Sequence, residues 1–463
     1  MATWHEEPPM PISLKQITLP ETGSLGEAPR IPPATYAARA DSAYARAGAD
    51  WLAVYADREH FGNIAFLSGF EPRFEEAFLL LGPGGRRVLL AGNECESYAV
   101  LAGLAGLEVL LCQSLSLMGQ DRTRQPRFAD RLRDAGLKTG DTVGLVGWKY
   151  LEPEEDEDFA SGHFVPAAYV QMLRRVIGPS GSLRDATAVL MHPETGLAST
   201  LDADQIAAFE WSATRCSNAL WRIVSGVREG DTEHRAVSRM GYEGDPLNVH
   251  TMFASAGPGE AVIGLRSAGA RRLRRGDGVT TAIGLQGALS SRAGLFDEAN
   301  DAFLASAKSY FDGLVAWYET ADIGVEGGAI HDAVAETLAR GGLRSALNAG
   351  HLTGYEEWTH SPVRPGSGER LRSGMPFQVD IIPVPMPAGM ALNCEDPATF
   401  ADAALRTELA ERHPATAARI EARRAFMKDV LGVALKPSIL PMSETQLCLP
   451  PFWMRAGHVL VKD

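Results

Sequence analysis

Between residues 50 and 150 the chain sets short apolar runs against turn residues. DWLAVYA (Asp50 to Ala56) predicts a strand, and AFLLLGPGGRRVLLAG predicts two strands around a Gly-Pro-Gly-Gly turn. LEVLLCQSL and TVGLVGW predict further strands, while YAVLAGLAG and YVQMLRRVI, between or after them, predict helices. Apolar strands alternating with helices imply an α/β region whose sheet is covered on both faces.

The pattern changes near residue 200. From Leu201 apolar residues recur at helical spacing, and Ile206, Phe209, Ala213, Cys216, Leu220 and Val224 would form one buried stripe. Asp231 or Thr232 could cap a second helix. Further helices are predicted at DAFLASAKSYFDGLVAWYETA, GGAIHDAVAETLARGG and TAARIEARRAFMKDVLG, with MPFQVDIIPV strand-like between them. The organisation expected is an extended proline-rich arm (1–35), an α/β domain (36–200) and a larger α+β domain (201–463).

A formal charge of -14 and a pI near 5.3 exclude a broad nucleic-acid groove, which needs a concentrated basic surface. The basic run ARRLRRGD (Ala270 to Asp277) reads as a solvated loop or helix end. The 5 cysteines are scattered and lack CxxC spacing, which suits a reducing compartment. The first residues carry acids and prolines where a signal peptide needs a basic start and an apolar core, and no apolar run approaches the roughly 20 residues of a membrane span. A cytoplasmic protein acting on a small molecule, without nucleic acid or membrane as partner, is expected.

Three stretches hold candidate chemistry. NAGHLTGYEEWTHSP flanks His351 with glycines, so the backbone can turn tightly and leave the imidazole open. RSGMPFQVDIIPVP places Asp380 within an apolar strand, where a carboxylate must find a partner. ALNCEDPATFAD places Glu395 at the end of a second short strand. A histidine and two carboxylates that converge can run acid–base chemistry or bind a divalent metal, although each residue taken singly fits a hydrogen-bonded structural role.

The order DTEHRA, GDGV, GHLTG, GMPFQVD, ALNCED resembles the C-terminal half of the creatinase/aminopeptidase P (pita-bread) superfamily, and REHFGNIAFLSGFEPRFEEAFLLL (Arg58 to Leu81) resembles the N-terminal domain of creatinase and aminopeptidase P. The resemblance spans about residues 35–400 and implies an α/β N-terminal domain followed by a pita-bread domain. Metal-dependent members hold two ions with Asp, Asp, His, Glu and Glu. By resemblance the His is His351, the first Glu falls on Asp380 and the second on Glu395. Both aspartates fall on alanines, Ala282 and Ala293, and no acid occurs from Gly278 to Phe296. The peptidases' substrate-orienting His falls on Gly264, and His360 is a candidate for the later one.

The expected cofactor is therefore none. A close pair of divalent ions needs bridging carboxylates to offset mutual repulsion. Creatinase, which also lacks the aspartates, hydrolyses a guanidino C–N bond without metal. The resemblance thus implies a metal-independent hydrolase of a small amide, amidine, urea or lactam-like substrate, with His351 as base, His250 and His360 in reserve, and Asp380 and Glu395 holding substrate. Tyr355 and His360 are further substrate-binding candidates. Arg73 and Phe74 match the segment that reaches the other subunit's active site in creatinase, which implies a homodimer with shared sites; Arg73 could equally pair with Glu75 or Glu76. Two alternatives stay open. One is an inactive homologue that binds a small molecule or peptide. The other is an Xaa-Pro peptidase-like metallohydrolase with a rearranged metal site that recruits His360 or Glu356.

Overall fold

The computed structural model describes residues 11–20, 25–123 and 127–463. Internal contacts divide the chain into two compact units: Arg30–Thr200 with Gly354–His360, and Met1–Pro29 with Leu201–Thr353 and Ser361–Asp463. The expected arm is corrected in two places. Ile12–Gln16 forms a strand, β1, and the helix Pro33–Ala47 begins inside the span read as extended. Proline suits that helix start, because its fixed φ is already helical and its missing N–H would have had no partner.

In the unit built on Arg30–Thr200, strands β2 (Trp51–Ala56), β3 (Ala77–Gly82), β4 (Arg86–Ala91), β5 (Glu108–Leu111), β6 (Thr142–Val146) and β7 (Ser182–Asp185) form one sheet in the order β5-β4-β3-β2-β6-β7. Successive side chains of β2 enter different cores. Leu52, Val54 and Ala56 pack with Ile64 and Leu79, whereas Trp51, Ala53 and Tyr55 pack with Phe78 and Leu173. Both faces are therefore covered, which is why β2 has no polar residue. YAVLAGLAG is not an α-helix. It holds a single 3₁₀ turn, Tyr98–Leu101, because Val100 and Leu101 stay 81% and 68% exposed and supply no buried stripe.

The inserted Gly354–His360 segment is tied to this unit by Glu356, whose Oε1 accepts from the Gly62 backbone N–H at 2.5 Å. His60 Nδ1 lies 3.0 Å from Asp57 Oδ1, and its ring stacks on Trp148 at 4.3 Å. That hydrogen bond raises the imidazole pKa. Burial lifts the Glu356 carboxyl to about 7, against the Gly62 hydrogen bond and the nearby His60, while Asp57 pushes the same way as burial.

In the other unit, β8 (Leu247–Ala256), β9 (Asp277–Leu285) and β10 (Ala288–Phe296) form an antiparallel meander. A short ribbon pairs β11 (Arg344–Ser345) with β14 (Pro383–Val384). β12 (His351–Leu352), β13 (Pro376–Val379), β15 (Asn393–Phe400) and β16 (Ile439–Pro441) complete the main sheet, in the order β12-β13-β15-β10-β9-β8 with β16 beside β15. β17 (His458–Lys462) pairs with β1, Ile12 opposite Lys462. The helix Ala203–Gly226, capped by the Asp202 carboxylate on the Gln205 N–H, buries all six residues of its expected stripe. It lies so close to the β9–β10 turn that a Cβ on Gly287 would sit 2.3 Å from the Phe209 ring, so only glycine fits there. The buried Glu210 of this helix accepts from Arg419 and Arg423 of the helix Pro414–Asp429. Thr232 caps the short helix Glu233–Val237. The basic run is a loop held by ion pairs, among them Arg271 to Asp277 at 2.6 Å. Among the described residues no helix is long and apolar enough to cross a membrane.

Beneath the sheet Arg292 is fully buried and pairs with Asp396 at 2.7 Å. Its five N–H groups all have acceptors: the carbonyls of Ser291, Glu395, Thr445 and Cys448, and the Asp396 carboxylate. Burial pushes the Asp396 carboxyl up, and Arg292 pulls it back. Leu447 takes a positive φ of 58° and donates its N–H to the same carboxylate, which offsets that strained backbone.

Two outcomes follow. Arg292→Met leaves a buried carboxylate alone and costs about 3–5 kcal/mol of unfolding free energy by denaturant titration; a loss below about 1 kcal/mol would show the pair to be dispensable. Glu356 binds a proton more tightly folded than unfolded, so wild-type stability falls as pH rises from about 4.5 to 7. Glu356→Gln, which cannot ionise, flattens that fall when Tm is compared at both ends of the window. An unchanged slope would rule Glu356 out as its source.

Candidate functional site

Strand register decides which side chains share a surface, because opposed residues point to the same face and so do residues two apart. On β10, Ser291 lies opposite Ala282 and Glu395, and Ala293 lies opposite Thr280 and Asn393. On β13, Gln378 lies opposite His351 and Pro397. One face of the sheet therefore carries His351, Gln378, Asn393, Glu395, Ala282 and Ala293. Met252, opposite Ala282, and Leu289, two residues before Ser291, extend that face. Arg292 and Asp396, one residue off this register, lie on the other face.

Asp380 belongs to the same group. It directly follows β13 rather than lying inside it, and its Oδ1 lies 3.4 Å from Asn393 Nδ2. Glu395 is also placed differently from expectation. It is the third residue of the eight-residue β15, which runs on through Pro397. Proline is tolerated because Pro397 falls between the pairing with β10, which ends at Glu395, and the pairing with β16, which begins at Ala398.

His351, Asp380 and Glu395 are all buried, and each offers a ligand-type atom within 4.8 Å of the others. Among the described residues this is the one such group of His, Cys, Asp or Glu. His351 Nδ1 lies 3.2 Å from the Leu352 carbonyl oxygen. A carbonyl only accepts, so Nδ1 carries the proton and Nε2 holds the lone pair needed by a base or a metal ligand. Alanines at 282 and 293, 7% and 2% exposed, supply no donor atom, so this face does not fit a two-ion centre bridged by carboxylates. Three donors suffice for a single ion at most.

Two side chains missed in the sequence complete the polar half. Gln378 Nε2 donates to the Leu289 carbonyl at 3.1 Å, and Asn393 Nδ2 faces Asp380. Those contacts fix both amides and leave Gln378 Oε1 and Asn393 Oδ1 buried without a hydrogen-bond donor among the described residues. Ser291 and Thr280 share the face, and next to them Met252, Ala282 and Leu289 form a small apolar cluster with Val249, apart from the main core.

The remaining candidates lie elsewhere. His250 has an exposed ring whose Nε2 hydrogen-bonds the Leu265 carbonyl at 3.0 Å. Gly264, next to Leu265, has open space around it. Tyr355, Glu356 and His360 belong to the unit built on Arg30–Thr200. There Tyr355 packs on the core, and His360 Nε2 lies 3.4 Å from Glu152. Arg73 pairs with neither Glu75 nor Glu76. It donates to Glu71 and, at 2.6 Å, to the Tyr98 hydroxyl, while Glu75 accepts from Cys95 N–H and Glu76 from Tyr169. Phe74 beside it is 56% exposed.

No protein-family profile matches the chain, and no curated protein matches it in sequence. Solved structures do match. The chain is similar to a prolidase from Thermococcus sibiricus at 16% identity with a TM-score of 0.63, over 81% of this chain and 95% of that one. It is similar to an X-Pro aminopeptidase from Thermotoga maritima MSB8 at 15% identity with a TM-score of 0.60, over 79% and 95%. An Xaa-Pro dipeptidase from Bacillus anthracis gives 15% identity and a TM-score of 0.58, over 79% and 94%. At such identities the likeness concerns the fold alone: an α/β N-terminal domain followed by a larger α+β domain of the pita-bread type.

Proposed function

We propose that the protein hydrolyses a C–N bond in a small amide, amidine, urea or lactam-like substrate, without a metal-ion pair. The observation that supports this reading is the convergence of His351, Asp380 and Glu395, buried within 4.8 Å of one another, on a face where the two positions that the resemblance gives to aspartate are alanine. His351 Nε2 takes a proton from water as the water oxygen bonds to the substrate carbon. The C–N bond then breaks, and the imidazolium returns that proton to the leaving nitrogen, so charge and atoms balance over the cycle. Asp380 and Glu395 accept hydrogen bonds from the nitrogen-bearing group and fix its approach. Nothing in this scheme calls on Ala282 or Ala293.

The same separations favour a second reading, in which His351, Asp380 and Glu395 hold one divalent ion. Such an ion would act as a Lewis acid toward the scissile group; the orienting of substrate by the neighbouring side chains would be unchanged.

Screening amidines, ureas and cyclic amides for amine or ammonia release should yield a turnover that His351→Ala lowers by about 10²–10⁴. The variant should keep its circular dichroism spectrum. Turnover that survives the substitution would remove His351 from the reaction. Metal analysis of the purified chain, before and after dialysis against chelator, separates the two readings. The metal-free one expects well under one ion per chain and unchanged activity; about one tightly held ion whose removal abolishes turnover would replace it with the second.

A further inference from the structure

We propose that a cavity on the other face of the sheet from His351, Asp380 and Glu395 binds a short-chain aliphatic monocarboxylate. Arg222 and Asn218 hold its carboxylate, and Met240, Ile283 and Leu285 hold its alkyl group. The proposal does not depend on the hydrolase reading. Ala282 and Ile283 are consecutive on β9, so the strand turns the first toward the candidate site and the second toward this cavity.

The cavity has a volume of about 390 Å³, within the range of roughly 300–1,000 Å³ usual for small-molecule sites. One wall is the helix Ala203–Gly226, on which Arg215, Asn218, Ala219 and Arg222 keep the spacing of a single helix face. Residues 240–245 and the C-terminal end of β9 supply the rest. Leu25 lines it from the N-terminal segment, which the Trp211 indole N–H ties to the helix through the Gly26 carbonyl at 3.0 Å.

The two arginines differ in what they have left to offer. Arg215 donates from Nε and Nη2 to Asp245 at 2.9 and 2.7 Å, and from Nη2 to Glu243 at 2.7 Å. Arg222 has no carboxylate partner among the described residues. Its Nε and Nη2 both donate to the Met240 carbonyl, which leaves Nη1 without an acceptor among those residues. The half-buried Asn218 amide, one turn earlier, hydrogen-bonds no described residue. A guanidinium without a counter-charge beside a free amide N–H suits a carboxylate, which accepts from both. Glu243 and Asp245 line the same cavity, so a second negative charge on the ligand would be repelled. A cation would face Arg222 while both acids are already engaged by Arg215. The remaining wall is apolar: Met240, Ile283 and Leu285 are buried and, with Ala219, give an alkyl chain a place out of water.

Ligand-detected NMR titration of the full chain with sodium acetate, propionate and butyrate, at constant ionic strength, tests this. Binding should saturate, and butyrate should bind at least about fourfold more tightly than acetate. Propylammonium, similar in shape and opposite in charge, should bind at least about tenfold more weakly than butyrate. Arg222→Gln and the nearly isosteric Asn218→Asp, each checked for an unchanged Tm, should weaken butyrate by about tenfold or more. The wild-type series decides the matter should both variants fail to fold. Propylammonium binding as tightly as butyrate would overturn the assignment to an anion, and equal affinity for acetate and butyrate would overturn the apolar wall. Butyrate affinity unchanged in the folded variants would overturn the site. No saturable binding of butyrate would overturn the proposal outright and leave the hydrolase reading untouched.

Discussion

The site depends on a cation placed under it. Arg292 is fully buried and spends its five N–H groups on three pieces of chain: its own strand, β15 and the Thr445–Cys448 segment. A guanidinium in that position is tolerable because every donor is matched and Asp396 supplies the counter-charge. It fixes the register between β10 and β15, and that register sets Ala293 opposite Asn393 and Ser291 opposite Glu395. A slip of one residue would either turn Glu395 to the core face or bring Arg292 to the site face, depending on which strand moved. The ion pair therefore acts as a register key, and the acids above it are presented as a consequence.

The chemistry of the upper face is then a matter of subtraction. With alanines where the resemblance expects metal-binding aspartates, the β9–β10 half of the face carries Ala282, Leu289, Ala293, Thr280 and Ser291, and the β13–β15 half carries the acids and amides. A face of that kind offers no bridging carboxylates to a pair of metal ions. The fold shared with prolidases and aminopeptidases sets where these strands run. It does not set what the strands carry, and activity resides in the latter.

How far the sequence could be read depended on range. The helix Ala203–Gly226 was plain because its stripe and cap are local signals, and β3 and β4 were plain because a turn separates two apolar runs. His351, Asp380 and Glu395 stood out through flanking glycines and an acid in an apolar context. Gln378 and Asn393 carried a signal that went unused: each lies two residues before one of those acids, and strand alternation puts such pairs on one side. YAVLAGLAG misled because its apolar residues do not share a face. Little in the local sequence marked Arg292 as buried, since its counter-charge Asp396 and most of its carbonyl acceptors lie 103 to 156 residues away. The place of Gly354–His360 in the unit built on Arg30–Thr200 was equally hidden, because it is carried by a carboxylate on a backbone amide.

That last feature bears on how the protein is made. The Gly62 amide finds its acceptor in Glu356, 294 positions later, so the unit built on Arg30–Thr200 is synthesised long before one of its own pieces exists. During that interval the Gly62 amide is served by water, and most of the other unit has to leave the ribosome first. The chain is therefore two compact bodies in space but not two successive events in time. A fragment cut at Thr200 would hold every strand of its sheet and still lack the carboxylate that meets the Gly62 amide.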